Sequence, residues 1–207
     1  MSLSNVALQL PNTEIPTDVR EFILEANQRV DEFMKARPKP LVGFFPSCFE
    51  TVYRALAEIA HGRLAPGNTF CEWGSGFGVT ASMASMLGFD SYGIEIDPEL
   101  CEVSRALAKQ HGLSVRFISG SFIPAGSDKL IDRAYTQHDG DMMLNPHSDG
   151  AYEEMGMDVS DFDLIFAYPW PKDAQLTGSL FNKFASSDAL LLTYNGLESM
   201  RLQRKRS

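Results

Sequence analysis

Cysteine is scarce in this chain of 207 residues. Cys48, Cys71 and Cys101 are odd in number, far apart and set in apolar patterns. That excludes a disulfide framework and reads as reduced core thiols in a cytoplasmic protein. Nothing in the sequence pairs any of them with a base. A domain of this size needs no such staple, since it buries roughly 70% of its unfolded surface. Long apolar runs are also missing. No stretch reaches the roughly 20 residues of a membrane span, and the segment from Met1 to Pro16 has no basic start followed by an apolar block, so no secretory signal is expected. Positive charge is short as well. The net charge of −9 argues against a nucleic-acid partner, whose binding rests on Lys and Arg, and favours a cationic one. The one basic cluster, Arg201 to Arg206, reads as a solvated tail, with an import or nucleic-acid patch as the alternative. Internal repeats and low-complexity tracts are lacking too.

What remains is an ordinary globular composition, 44% apolar and 22% charged. Residues 17 to 36 carry Val19, Phe22, Ile23, Ala26, Val30 and Phe33 at helical spacing, with Thr17 as cap and Pro38 and Pro40 as stop. A second helix is expected from Ser47 to His61, where Ser47 and Glu50 form a capping-box pattern. After the Pro66-Gly67 turn the chain alternates. Strands are expected at 69–73, 91–95, 114–119, 163–168 and 189–194. The first two are followed by helices at 78–87 and 98–111, the latter capped by Asp97, begun by Pro98 and stopped by Gly112. Strands alternating with helices imply an α/β fold with a doubly wound, mostly parallel sheet. Asn195-Gly196 then turns the chain so that Met200 to Lys205 adds an antiparallel edge strand. The boundaries expected within one domain are an N-terminal helical cap (1–66), a cofactor-binding half (67–122), an acidic loop or lid (123–161) and a substrate-side half (162–207).

The most informative segment is Glu72-Trp73-Gly74-Ser75-Gly76-Phe77-Gly78, between an expected strand and an expected helix. Glycines permit a tight turn and close approach of a ligand, and the helix N-terminus offers N–H groups. The second strand ends in Glu95 and Asp97, about 20 residues on, where such a fold places an acid on ribose hydroxyls. Nicotinamide cofactors fit less well: Val79 stands where their fingerprint needs a third glycine, and a diphosphate gains nothing from the carboxylate of Glu72. A nucleoside bearing a free amino group does.

On these residues the segment from Glu72 to Phe122 resembles the cofactor half of the class I, Rossmann-like S-adenosylmethionine-dependent methyltransferases. The resemblance implies that Glu72, Gly74, Ser75, Gly76 and Gly78 hold the methionine part of S-adenosyl-L-methionine, that Glu95 binds the ribose and that Ile96 packs on the adenine. In the family the turn matching Gly120-Ser121-Phe122 carries an aspartate that touches the adenine amino group; here Ser121 stands in its place, beside Phe122. The stretch Phe44-Phe45-Pro46-Ser47 resembles the family's segment that closes over the cofactor.

The fourth strand ends in Tyr168-Pro169-Trp170-Pro171, which resembles the Asp/Asn-Pro-Pro-aromatic segment of methyltransferases that modify nitrogen, with Tyr168 and Trp170 departing from it. Tyr168, Pro169 and Trp170 are therefore the expected catalytic residues, and Trp170 is a suitable face for a cation. The alternative is that the prolines only end the strand and Trp170 fills the core. His138, Asp139, Asp141, His147 and Asp149 lack the spacing of a metal site, and no metal is expected. The resulting expectation is methyl transfer to an amine of a protein or small molecule. O-methylation of a small molecule and a non-catalytic cofactor-binding module stand as alternatives.

Overall fold

The computed structural model describes every residue except Met1, 11–13, 38–46, 138–141, 143, 148, 149 and 196–198. The expected helix stop at Pro38 and Pro40, the covering stretch Phe44 to Pro46, the turn at Gly196, and His138, Asp139, Asp141 and Asp149 lie outside the described residues.

Two helices precede the alternating part, α1 (Thr17–Ala36) and α2 (Phe49–His61). Both bury the stripe their spacing marks, including Phe22 and Ile23 on α1 and Val52 and Leu56 on α2. Neither is capped by a side chain: Pro16 and Cys48 occupy the N-cap positions, so the Thr17 cap and the Ser47–Glu50 box are not formed.

The alternating part runs β2 (Thr69–Trp73), α3 (Val79–Met86), β3 (Asp90–Glu95), α4 (Pro98–Gln110) and β4 (Val115–Ser119). It continues through β5 (Leu164–Ala167), α7 (Ala174–Phe184) and β6 (Leu190–Tyr194). Asp97 caps α4 as its position requires, accepting from the Glu99 N–H at 2.9 Å and the Leu100 N–H at 3.4 Å. The four parallel pairings join β4, β3, β2, β5 and β6 in that order. The order reverses at β2 and β5, and their C-terminal ends open the crevice where ligands of such sheets sit. Core side chains fill both faces. One cluster contains Phe22, Leu56, Phe70 and Leu164; the other contains Trp73, Tyr92, Phe162 and Leu180.

The structure departs from the expected plan in two places. The basic segment is no tail: β7 (Met200–Arg206) lies antiparallel to β6 and is covered on its far side by β1 (Ser2–Val6), so it is an inner strand and not an edge. Lys205 is buried there and donates to the Ala185 carbonyl, while Arg204 donates to the Leu64 carbonyl at 2.8 Å. The N-terminal part therefore supplies a strand as well as helices. Likewise the stretch 123–161 is more than a loop. It carries α5 (Asp128–Gln137) and α6 (Ala151–Met155), and Ile123, Ala134, Tyr152, Met155 and Val159 enter the second core cluster.

Candidate active site

The turn after β2 is held from below. The N–H groups of Gly74 and Ser75 both donate to the Ile94 carbonyl at 2.9 Å, that of Gly78 to the Ser75 carbonyl at 2.7 Å, and that of Gly76 to Glu95 Oε2 at 2.7 Å. Glycine is required at Gly78 twice over: its φ is +68°, and a Cβ there would fall 2.4 Å from the Phe117 ring and 2.7 Å from Ser104 Cβ. Gly93 makes room for the same Phe117 and for Ser75, whose Cβ lies 2.9 Å from the place a Cβ on Gly93 would take.

These bonds decide which ligand the turn suits. A diphosphate needs several donor N–H groups at the loop and helix N-terminus. Here four loop donors are committed, and the first turn of α3 is met by one of the protein's own carboxyl groups: Glu72 Oε2 accepts from the Ala81 N–H at 2.8 Å, with a further bond from the Thr80 side chain. Burial pushes the Glu72 carboxyl up to about 8, against those two bonds, with the charge of Glu95 adding to the rise. Glu95 is also buried and also raised by burial, although Oε1 accepts from the Asp97 N–H at 2.9 Å.

Two cavities meet over this turn. A cavity of about 360 Å³ is lined by Glu95, Ile96, Asp97, Ser121, Phe122 and Asp173 among others, with Leu144, Asn145 and Thr177 completing it. A second, of about 530 Å³, is lined by Glu72, Phe49, Phe77, Val79, Thr80 and Phe166, with Ser47 and Asn195 at its polar points. Gly74 and Gly76 floor both, and Tyr168, Pro169 and Trp170 wall both. Ile96 is 46% exposed and Tyr168 36%, two of the four large apolar side chains left exposed among the described residues. Phe122 stacks on the buried Trp73 at 5.1 Å and 8°. Ser121 turns its hydroxyl into its own loop, accepting from the Ile123 N–H at 3.1 Å. The Tyr168 ring stands edge-on to Tyr194 at 4.7 Å, and the Tyr194 hydroxyl accepts from the Cys48 N–H at 3.3 Å.

The residues expected to bind the cofactor or to act in catalysis thus border one crevice, apart from Gly78, which acts beneath it. Asp173, Thr177, Leu144, Asn145, Phe49 and Asn195 were not singled out. Of these only Asn195 carries a legible signal, an Asn-Gly pair closing a strand; the others arrive through folding of distant segments. Among the described residues no group of three His, Cys, Asp or Glu side chains converges as a metal site would, and no helix is long and apolar enough to cross a membrane.

No family model matches the chain. A curated relative, the ribosomal protein L11 methyltransferase of Thermus thermophilus, is 34% identical over 103 residues, 48% of this chain; the match spans 40% of that relative's length. Among solved structures, an RNA methyltransferase from Salinibacter ruber bound to S-adenosyl-L-homocysteine is similar, with a TM-score of 0.52 and 20% identity over 78% of this chain and 92% of its own. A methyltransferase from Geobacter sulfurreducens has a TM-score of 0.52 and 14% identity, over 93% of this chain and 92% of its own.

Proposed function

From a chain with the class I, Rossmann-like methyltransferase fold, we propose S-adenosyl-L-methionine-dependent methyl transfer to an amine nitrogen of a protein or small molecule. The observation that carries the reading is the pair of cavities joined over Gly74 and Gly76 and walled by Tyr168-Pro169-Trp170. A long ligand with a nucleoside at one end and a charged amino acid at the other fits two such chambers, and the committed loop donors disfavour a phosphate bridge between them.

The residues divide the work. Glu95 offers two carboxylate oxygens at the nucleoside chamber, and Ile96 and Phe122 give a planar base apolar surface. Glu72 faces the larger chamber, where an ammonium group would draw it to its ionised form. The cofactor, when bound, supplies a methyl group activated on a sulfonium for in-line displacement. The protein then orients and excludes water, and alignment alone contributes roughly 7–11 kcal/mol to lowering such a barrier. Trp170 presents an aromatic face to a cationic or amine acceptor. Burial raises the Tyr168 phenol, so that side chain is neutral and acts through hydrogen bonding. The net charge of −9 favours a cationic acceptor. The curated relative's name gives a ribosomal protein as its acceptor, in agreement with a protein acceptor here.

A panel of amine, basic-peptide, hydroxyl and RNA acceptors, offered with methyl-labelled cofactor, tests the assignment. Label on an amine or basic peptide is expected, lost in Trp170→Ala while S-adenosylhomocysteine still binds. Label confined to hydroxyl or RNA acceptors overturns the nitrogen assignment. Cofactor binding without transfer to any class favours a non-catalytic module.

A further inference from the structure

The walls of the larger chamber meet through a residue that borders neither cavity. Tyr194 ends β6 and is only 5% exposed. Its neighbours line the chamber where it does not: Ser47 and Phe49 on either side of Cys48, Tyr168 on the adjoining strand end, and Asn195 next in the chain. Two contacts join these segments to Tyr194. Its hydroxyl accepts from the Cys48 N–H at 3.3 Å, and its ring stands edge-on to that of Tyr168 at 4.7 Å and 71°. The ring contact follows from the strand pairing. Ala167 and Thr193 are partners in the parallel ladder of β5 and β6, so Tyr168 and Tyr194 leave the sheet side by side. Asn195 is tied from its other side, its N–H donating to the Ser199 carbonyl at 2.8 Å.

The phenol supplies what a phenylalanine would not. The first N–H groups of a helix have no acceptor within it. α2 begins at Phe49 after Cys48, and the Cys48 side chain caps none of them. The Tyr194 hydroxyl comes from outside the helix to take the first, the N–H of Cys48 itself. The same side chain meets the strand end through its ring, in the edge-on geometry that aromatic pairs favour. One residue therefore spans from the start of α2 to the end of β5. We infer that Tyr194 is the positioning residue of the larger chamber, holding these two walls at the separation that the amino-acid end of the cofactor and an in-line acceptor require. Such alignment is demanding, since a displacement of about 1 Å costs on the order of 100-fold in rate. The inference rests on the S-adenosylmethionine reading.

Calorimetry with two ligands tests it without catalysis: S-adenosylhomocysteine, and 5′-methylthioadenosine, which has the nucleoside and the sulfur but no amino-acid end. The wild-type protein is expected to bind the first more tightly. Tyr194→Phe keeps the ring and loses the hydroxyl. It should bind S-adenosylhomocysteine ~3- to 10-fold more weakly, the worth of one hydrogen bond, and 5′-methylthioadenosine as the wild type does. Cys48→Pro removes the donor instead, at a φ of −69° that proline adopts, and should lose the same factor. The two changes together should cost no more than either alone, because they break one bond. Equal weakening of both ligands in Tyr194→Phe, an unchanged affinity for S-adenosylhomocysteine, or additive losses in the double variant overturns the inference. Wild-type protein that binds neither ligand removes the cofactor reading itself, and the inference with it.

Discussion

The two chambers share a floor and a wall but differ in chemistry. The chamber proposed for the nucleoside presents Glu95, Asp97, Asp173, Ser121, Asn145 and Thr177 beside the apolar Ile96, Leu100, Phe122 and Leu144. The larger chamber, proposed for the amino-acid end of the cofactor and the acceptor, is lined by Phe49, Phe77, Val79, Phe166 and Ala174 together with Ser47, Ser75, Thr80 and Asn195, with Glu72 the one carboxylate among its described lining. The polar chamber is suited to recognition, because buried polar groups reject any ligand that leaves them unmatched. The larger one, with a single carboxylate, is suited to reaction, because excluding water strengthens whatever charge interactions remain. Substitutions that separate the two sides sharpen this contrast, and those at the shared floor break it.

The largest effect is expected at the floor. Gly78→Ala forces an ordinary residue into a left-handed conformation and drives a methyl into Phe117 and Ser104. Strain and overpacking together should cost roughly 2–6 kcal/mol, seen as a lower urea midpoint, and both chambers fail together. Gly74→Ala, at φ +71° with nothing within 4 Å, carries the strain alone, about 1–2 kcal/mol.

Next comes the nucleoside side. Glu95→Ala removes the proposed ribose acceptors and also frees the Gly76 and Asp97 N–H groups it now holds. Affinity for S-adenosylhomocysteine should fall ~100-fold or more, and thermal stability should drop with it. Glu95→Gln, which retains one acceptor oxygen, should fall between. Unchanged affinity in Glu95→Ala would assign the ribose to another acid.

How far these residues could be read in advance follows from the range of the forces that place them. Between β2 and β4 the determinants are local: a cap at Asp97, glycines at the turn, an apolar alternation, and so strands, helices and the Glu72–Glu95 pair were legible. β1 was not, because Ser2 to Val6 is short, polar in part, and becomes a strand only by pairing with Met200 to Arg206 some 200 positions away. The same pairing buries Lys205, which reads as a tail residue until a neighbouring carbonyl accepts from it. In the 123–161 stretch, α5 buries only Ala134 of its own residues, so its helical stripe is faint. Asp173 was invisible as a lining residue because the crevice it borders is closed by segments distant in sequence.

In the larger chamber the expected effect is one of pH. The Glu72 carboxyl, raised to about 8 from an ordinary value of 4.5, stays protonated in the free protein at neutral pH while the unfolded chain has lost that proton. The folded state then binds more protons than the unfolded one between those values, so stability should fall as pH rises from about 4.5 to 8, by up to ~1.4 kcal/mol per unit. The raised Glu95 acts in the same direction. Glu72→Gln should flatten this slope in part, leaving the share of Glu95. A ligand carrying an ammonium group favours the Glu72 carboxylate, so S-adenosylhomocysteine should release a proton on binding at pH 7. Calorimetry in buffers of different ionisation enthalpy measures it, and no release, or an equal release in Glu72→Gln, would place the ammonium elsewhere.

The smallest effect is expected at the shared wall, in Tyr168→Phe. The ring's contact with Tyr194 survives that change, and so does the aromatic surface facing both chambers. Burial holds the phenol above its usual value, so near neutral pH it is protonated and has no proton-accepting role to lose. What disappears is one hydroxyl able to orient an acceptor, worth about 1 kcal/mol. Methyl transfer should therefore slow by less than ~10-fold, with affinity for S-adenosylhomocysteine unchanged and the pH–rate profile parallel to that of the wild type. Loss of a general acid or base would cost ~100- to 10,000-fold and remove a limb of the profile. The two outcomes are far enough apart for one kinetic series to decide whether the wall only positions the acceptor or also moves its proton. If it moves the proton, the acceptor chamber carries chemistry of its own, and its contrast with the nucleoside side is one of reaction as well as environment.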